Sequence, residues 1–252
     1  MSSPTERFTS RVETYAKYRP GYPTEVIELL RSECGLTHAS IVADVGSGTG
    51  IFSELLLKNG NTVIGVEPNE AMRCAAESLL RGYLNFQSVN GSAEATTLPN
   101  ASVDLITAGQ AFHWFDARAA RDEFVRILKP GGFVALIWND RRLDSTAFLR
   151  NYETLLREYG TDYAKVQEFD PRDQIASFYA PQSFKQRAFP NRQEFDFIGF
   201  KGRVLSASYT PEPGNPRFEP MLKALQDLFD SGEEDGIVAF EYDTRVFYGR
   251  LS

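Results

Sequence analysis

Three glycines at alternate positions, Gly46, Gly48 and Gly50, close the apolar stretch ADVGSGTG and leave a turn where something approaches the backbone too closely for side chains. A dinucleotide fingerprint would carry a further glycine where Ile51 stands. A phosphate loop would end in Gly-Lys followed by Ser or Thr, which this turn lacks. The ligand need not be a polyphosphate. Glu67 ends the run VIGVEPN about twenty residues past the first glycine, the spacing at which a carboxylate accepts from both hydroxyls of a ribose. Ser92, Ala93 and Glu94 in GSAEATTLP are placed to hydrogen-bond an adenine rim, and AGQAFHWF sets Gln110 toward the middle of the same pocket. Each piece alone has a plainer reading, since a glycine turn also serves as a tight connection and Glu67 also suits a helix start. Jointly they describe a nucleoside whose far end passes over the glycines.

Acceptor-side candidates are fewer. His113 suits a general base or a group that orients a second substrate, or else a structural histidine pinning its loop among Phe112, Trp114 and Phe115. Those aromatic residues, Trp114 included, line a pocket or simply pack. Near the amino terminus, Tyr15 and Tyr18 fall on one helical face beside Arg19, whose guanidinium suits a bidentate pair with a carboxylate or a surface ion pair. Trp138 and Asn139 end an apolar run and border the acceptor, followed by Arg141 and Arg142, weak support for an acidic acceptor.

Five short β-branched runs alternate with helical patterns and position these residues: Ile41–Val45, Thr62–Val66, Phe86–Val89, Val103–Thr107 and Phe133–Trp138. Helical patterns at Phe52–Lys58 and Ala119–Leu128 lie between them. Such alternation predicts a doubly wound α/β fold with its crevice beyond the carboxyl ends of the strands. A helical pattern at Thr24–Arg31 follows YAKYRPGYP, and this amino-terminal extension reads as a lid. After Asp140 the spacing predicts helices at Ser145–Tyr159 and Arg217–Phe229 and a strand at Phe184–Phe189. Ile237–Leu251 then reads as a strand or a hairpin that adds antiparallel to the sheet edge. The expectation is one domain over 1–252, with a lid at 1–40, a cofactor core at 41–140 and an elaboration at 141–252 completing the sheet and acceptor pocket.

Together the blocks VADVGSGTG, VIGVEPN, GSAEATTLP, ASVDLITAGQAFHWF and LKPGG resemble the class I S-adenosylmethionine-dependent methyltransferases of the type 11 kind. YAKYRPGYP and FHWFD are more loosely similar to trans-aconitate methyltransferases. The resemblance implies a Rossmann-like seven-stranded sheet, mostly parallel with an antiparallel edge strand, helices on both faces, a lid and extra carboxyl-terminal helices. It also implies S-adenosyl-L-methionine as cofactor. Gly46 and Gly48 then admit the methionine moiety, Asp44 organises its amino end and Glu67 holds the ribose. Asn69 and Met72 flank the adenosine, Ala93 and Glu94 lie by the adenine, and Ser47, Gly50, Pro68, Ser92, Gln110 and Tyr15 complete the cofactor set. His113, Tyr18 and Arg19 are the catalytic candidates, and Trp114, Trp138 and Asn139 the acceptor contacts.

Composition narrows the partners. A formal net charge of −7 disfavours general electrostatic binding of nucleic acid. Two cysteines without metal-ligand spacing and two histidines give no zinc cluster, and no apolar run suits a signal or a membrane span. The expectation is a cytoplasmic, metal-free monomer or dimer that transfers a methyl group to a small molecule, with carboxylic acids among the candidate acceptors. The alternatives are a tRNA or protein methyltransferase and a non-catalytic nucleoside-binding protein of the same fold.

Overall fold

The computed structural model describes residues 17–163 and 172–252. In chain order the elements are α1 (Glu25–Cys34), β1 (Ile41–Val45), α2 (Ile51–Lys58), β2 (Thr62–Val66), α3 (Glu70–Leu80), β3 (Phe86–Val89) and β4 (Val103–Gly109). A short 3₁₀ turn at Phe112–Trp114 leads to α4 (Ala117–Ile127) and β5 (Leu128–Arg141). The rest comprises α5 (Ala147–Tyr159), α6 (Arg172–Tyr179), β6 (Phe184–Phe195), α7 (Phe197–Leu205), α8 (Phe218–Gly232) and β7 (Val238–Gly249).

The strands form one seven-stranded sheet in the order β3-β2-β1-β4-β5-β7-β6, as the Rossmann-like expectation holds. The first five are mutually parallel, and β7 runs antiparallel to both neighbours. It lies one place in from the edge, which β6 takes. The strand order reverses between β1 and β4, the position where open α/β sheets bind ligands.

β5 carries the chain from the core out over the ligand-binding edge. Gly109 at the end of β4 pairs with Ile137, after which β5 continues to Arg141 on β7 alone, with Arg141 opposite Tyr242. This ribbon overhangs the carboxyl edge of the parallel sheet. Successive strand residues face opposite ways, so Val134, Leu136 and Trp138 join the core beneath α4 and α6, while Ala135 and Ile137 join the core with α1 and α2. Farther along the overhang, Val238, Phe240 and Tyr242 of β7 bury against α5, α7 and α8 in a third cluster. The late helices thereby roof the ligand-binding edge.

Candidate functional site

The glycines of the turn answer three different needs. A Cβ on Gly46 would lie 2.5 Å from the Cβ of Ala111, so that residue leaves room for the segment after β4. Gly50 starts α2, and a Cβ there would sit 2.7 Å from Leu80 Cδ1. It lets the start of α2 pack closely against α3, at Leu80 and Ala76. Gly48 has a φ of +56° and nothing within 4 Å of a Cβ. It is the open one. Thr49 beside it is 2% exposed, and its Oγ1 has no hydrogen-bond partner. Ser47 is turned inward, its Oγ 3.0 Å from where a Cβ on Gly65 would sit.

Glu67 crosses from β2 to this turn. One carboxylate oxygen accepts the Gly48 N–H at 3.0 Å and the other the Asn69 N–H at 2.9 Å. Burial raises its pKa above the usual carboxylate value, against the pull of those two amides. Each oxygen keeps lone-pair capacity for one further donor. The Asp44 side chain, 1% exposed, points into the protein, accepting from Ser53 Oγ at 2.6 Å and Thr107 Oγ1 at 3.0 Å. It braces β1 against α2 and β4, so any influence on a ligand's amino end passes through the turn. Burial, and then the nearby Glu67 charge, push its pKa up to about 6, with the two hydroxyls opposing.

The adenosine-flanking expectation shifts in the same way. Asn69 Oδ1 caps α3 by accepting from Met72 N at 3.1 Å, and Met72 is 5% exposed. The sequence around Asn69 is that of a helix start, and capping uses its side chain. Pro68 is exposed next to Glu67. Ser92 and Ala95 exchange backbone hydrogen bonds in a tight loop that buries Ala93, and Glu94 Oε1 accepts Asp116 N at 2.9 Å. Gln110 has a φ of +56° at the end of β4, donates its N–H to Ile137 O at 2.8 Å and its Nε2 to Asn139 O at 3.1 Å. That left-handed backbone is uncommon for a residue with a side chain and accompanies functional turns.

The acceptor-side candidates differ in burial and partners. Trp138 is 6% exposed and packs edge-on against Phe112 and Phe247, because the strand period turns it into the core beneath α4 and α6. Asn139 is a latch: Nδ2 donates to Gly21 O at 3.1 Å, while Oδ1 accepts from Thr244 Oγ1 at 2.5 Å and Asn191 Nδ2 at 3.1 Å. Burial lowers the pKa of His113 to about 4, so the ring is neutral at pH 7 and a weak base. Trp114, its ring tilted 46° to that of His113 with centroids 4.8 Å apart, is 45% exposed.

Tyr15 lies outside the described residues. Tyr18 packs on α7, where a Cβ at Gly202 would collide with its ring, and Arg19 Nη2 donates to Ser206 O at 3.1 Å at the end of that helix. The segment that carries Tyr18 and Arg19 therefore docks on α7. Tyr22, to which the motifs assign no role, puts its hydroxyl 2.8 Å from a would-be Cβ on Gly109 and its ring edge-on to Phe52 at 4.8 Å. Its tyrosine-rich YRPGYP setting is the available signal. Alanine at Gly202 ordinarily gains helix propensity worth about 1 kcal/mol. Here Gly202→Ala is expected to lower the melting temperature and speed limited proteolysis around residues 17–22. An unchanged or higher melting temperature would show that Tyr18 does not dock there.

Among the described residues no group of three or more His, Cys, Asp or Glu could hold a metal ion, and no helix is long and apolar enough to cross a membrane.

Residues 43–136 match a family described as a methyltransferase domain. An uncharacterized methyltransferase of Mycobacterium tuberculosis is 37% identical over 135 residues, covering 53% of this chain and 52% of that protein. One from Schizosaccharomyces pombe is 34% identical over 135 residues, covering 53% of each. The chain thus spans about half the length of the curated relatives it matches. Among solved structures, a candidate type II methyltransferase from Anaeromyxobacter dehalogenans superposes with a TM-score of 0.66 at 22% identity, over 93% of this chain and 98% of that one. A geranyl diphosphate methyltransferase in complex with S-adenosylmethionine superposes with a TM-score of 0.52 at 12% identity, over 91% and 85% of the two chains. At such identities the structures speak for the fold, and the matched core speaks for the domain. The seven-stranded order with β7 reversed, the glycine turn tied to Glu67 and that match agree: residues 43–136 are similar to a methyltransferase domain, carried on the Rossmann-like fold of solved methyltransferases.

Proposed function

We propose that the chain transfers a methyl group from S-adenosylmethionine to a small acidic molecule. The observation that carries the donor half is the Glu67 carboxylate, held by the Gly48 and Asn69 amides at the carboxyl edge of β1 and β2. The residues fit the group: Gly48 leaves open space, the Thr49 hydroxyl is buried without a partner, and Glu67 retains acceptor capacity for two ribose hydroxyls. When bound, S-adenosylmethionine supplies an activated methyl group for in-line displacement.

The chain's own contribution is then placement and exclusion of water, effects worth up to about 7–11 kcal/mol in well-oriented systems. Glu67 orients the donor, Asp44 and Ser53 keep the turn rigid, and Tyr22 walls the end of β4. The docked Tyr18 and Arg19 segment excludes water from above. A carboxylate acceptor is already nucleophilic at neutral pH, which accords with a His113 too weakly basic to drive deprotonation. The small-molecule reading is supported by a structural neighbour whose acceptor is geranyl diphosphate. Titration calorimetry with S-adenosylhomocysteine tests the donor half. Binding in a one-to-one ratio is expected, and its absence at millimolar ligand would sink the reading.

A further inference from the structure

Two guanidiniums are buried where the late helices pack on β5 and β7, and a carboxylate is paired with one of them. Arg141, whose side chain is 9% exposed at the tip of β5, donates to Glu153 of α5 and to the Tyr163 hydroxyl, each at 2.8 Å. Glu153 is shared with Arg157, which is 70% exposed and hydrated. Arg203 on α7 is 5% exposed; its Nε donates to the Tyr242 hydroxyl at 3.3 Å and its guanidinium lies 5.8 Å from the Phe240 ring centroid. Three buried polar atoms of this cluster have no hydrogen-bond partner: Arg141 Nη1, Arg203 Nη1 and the Tyr152 hydroxyl. They belong together, because the Arg141 guanidinium sits 4.7 Å over the Tyr152 ring and both arginines interact electrostatically with Tyr152 and Tyr209. A fold in need only of packing would use apolar side chains here, since buried cations without matched anions are costly.

The position of the cluster is informative. Arg141 lies two residues past Asn139 on the same face of β5, about 7 Å along the strand. Asn139 in turn holds Gly21, next to Tyr22 at the end of β4. Arg203 follows Gly202, the residue on which Tyr18 packs. The three unmatched polar atoms therefore lie where β5, β7, α5 and α7 pack together, close to the α7 position on which Tyr18 docks. Among the described residues Glu153 balances one of the two buried arginines, which leaves a single positive charge in excess there and suits a carboxylate better than a phosphate dianion.

We propose that Arg141 and Arg203, with the Tyr152 hydroxyl, form the site that binds the carboxylate of a small organic acid, the methyl acceptor. The acceptor role rests on the methyltransferase reading, whereas the anion site stands on its own geometry. The test uses the full chain with benzoate, glutarate, neutral benzamide and inorganic phosphate as probes, each with and without S-adenosylhomocysteine, followed by calorimetry and thermal melting. Benzoate or glutarate is expected to bind and raise the melting temperature, benzamide to do neither and phosphate to bind more weakly. Arg203→Met should weaken carboxylate binding at least about tenfold, as loss of a charge-assisted hydrogen bond does. Because it removes an unmatched buried charge, it should not lower the melting temperature of the free protein. Tyr152→Phe, which deletes one hydroxyl without a partner, keeps the question open to measurement if Arg203→Met misfolds, and should weaken carboxylate binding several-fold. Equal carboxylate binding by wild type and both variants, no binding to wild type, or tighter phosphate than carboxylate binding would each overturn the proposal. Carboxylate binding of the expected pattern without any S-adenosylhomocysteine binding would leave the anion site standing and remove the donor reading instead.

Discussion

Glu67→Ala is expected to weaken S-adenosylhomocysteine binding by two to four orders of magnitude while the protein stays folded. Two hydrogen bonds to a charged acceptor contribute about 1.5–3 kcal/mol each, and every 1.4 kcal/mol is about a factor of ten. The substitution also releases the Gly48 and Asn69 amides, which the carboxylate now holds at 3.0 and 2.9 Å, so the turn loses its brace together with the ribose contacts. Glu67→Gln separates the two effects. A carboxamide has one acceptor oxygen and can satisfy one of those amides, but its NH₂ would face the other amide donor. It should fall between wild type and alanine in affinity. The decisive comparison is calorimetry against melting temperature. A loss of binding that merely tracks a fall in melting temperature would reduce Glu67 to a structural tie, and retained affinity in the alanine variant would remove it from the donor site.

The cofactor half of the molecule was legible because its strands are short, apolar and bounded by glycine or a carboxylate. β1, β2 and β3 have the bounds that the β-branched runs suggest. The roof was legible only in part. β5 extends past Trp138 through Asn139, Asp140 and Arg141, whose polarity argues against a strand until β7 is there to pair with them. β6 continues from Phe189 through Pro190 to Phe195, which an edge strand tolerates because a missing N–H on the open side costs little. α7 was hidden by Gly199 and Gly202, poor helix formers whose use shows only in the packing of Phe195 and Tyr18 against them.

Side-chain roles were harder to foresee than elements. Trp138 and Asn139 fell at the correct edge, yet the two-residue strand period buries one in the core and commits the other to Gly21, Thr244 and Asn191. Arg203 carries no motif. Its surroundings of Phe240 and Tyr242 follow from α7 packing on β7, a long-range arrangement that spacing along the chain does not encode.

The second large effect concerns acid stability, where two buried groups oppose each other. Asp44 has its pKa raised from an ordinary 3.8 to about 6, so the folded state binds the proton more tightly than the unfolded chain. Stability from this group therefore falls as pH rises from about 4 to 6, by up to about 3 kcal/mol. Its partner in the balance, His113, is lowered from 6.5 to about 4, so the unfolded chain binds the proton more tightly. That contribution is fully present above pH 6.5 and is lost as pH falls toward 4, again by up to about 3 kcal/mol. The two nearly cancel, and Glu67, also raised by burial, adds to the Asp44 direction. Glu123, held near 2 by Arg126, acts only below this window. Wild type should accordingly show a shallow dependence of unfolding free energy on pH between 4.5 and 6. Asp44→Asn removes the falling limb, so its stability should climb steeply with pH over that interval. His113→Gln removes the rising limb, and its stability should decline over the same interval. Urea titrations at half-unit steps measure both slopes. Parallel curves for the two variants would mean that neither group is held away from its ordinary pKa. Slopes of opposite sign would show that the brace under the glycine turn and the histidine beside the pocket are buried as the fold places them.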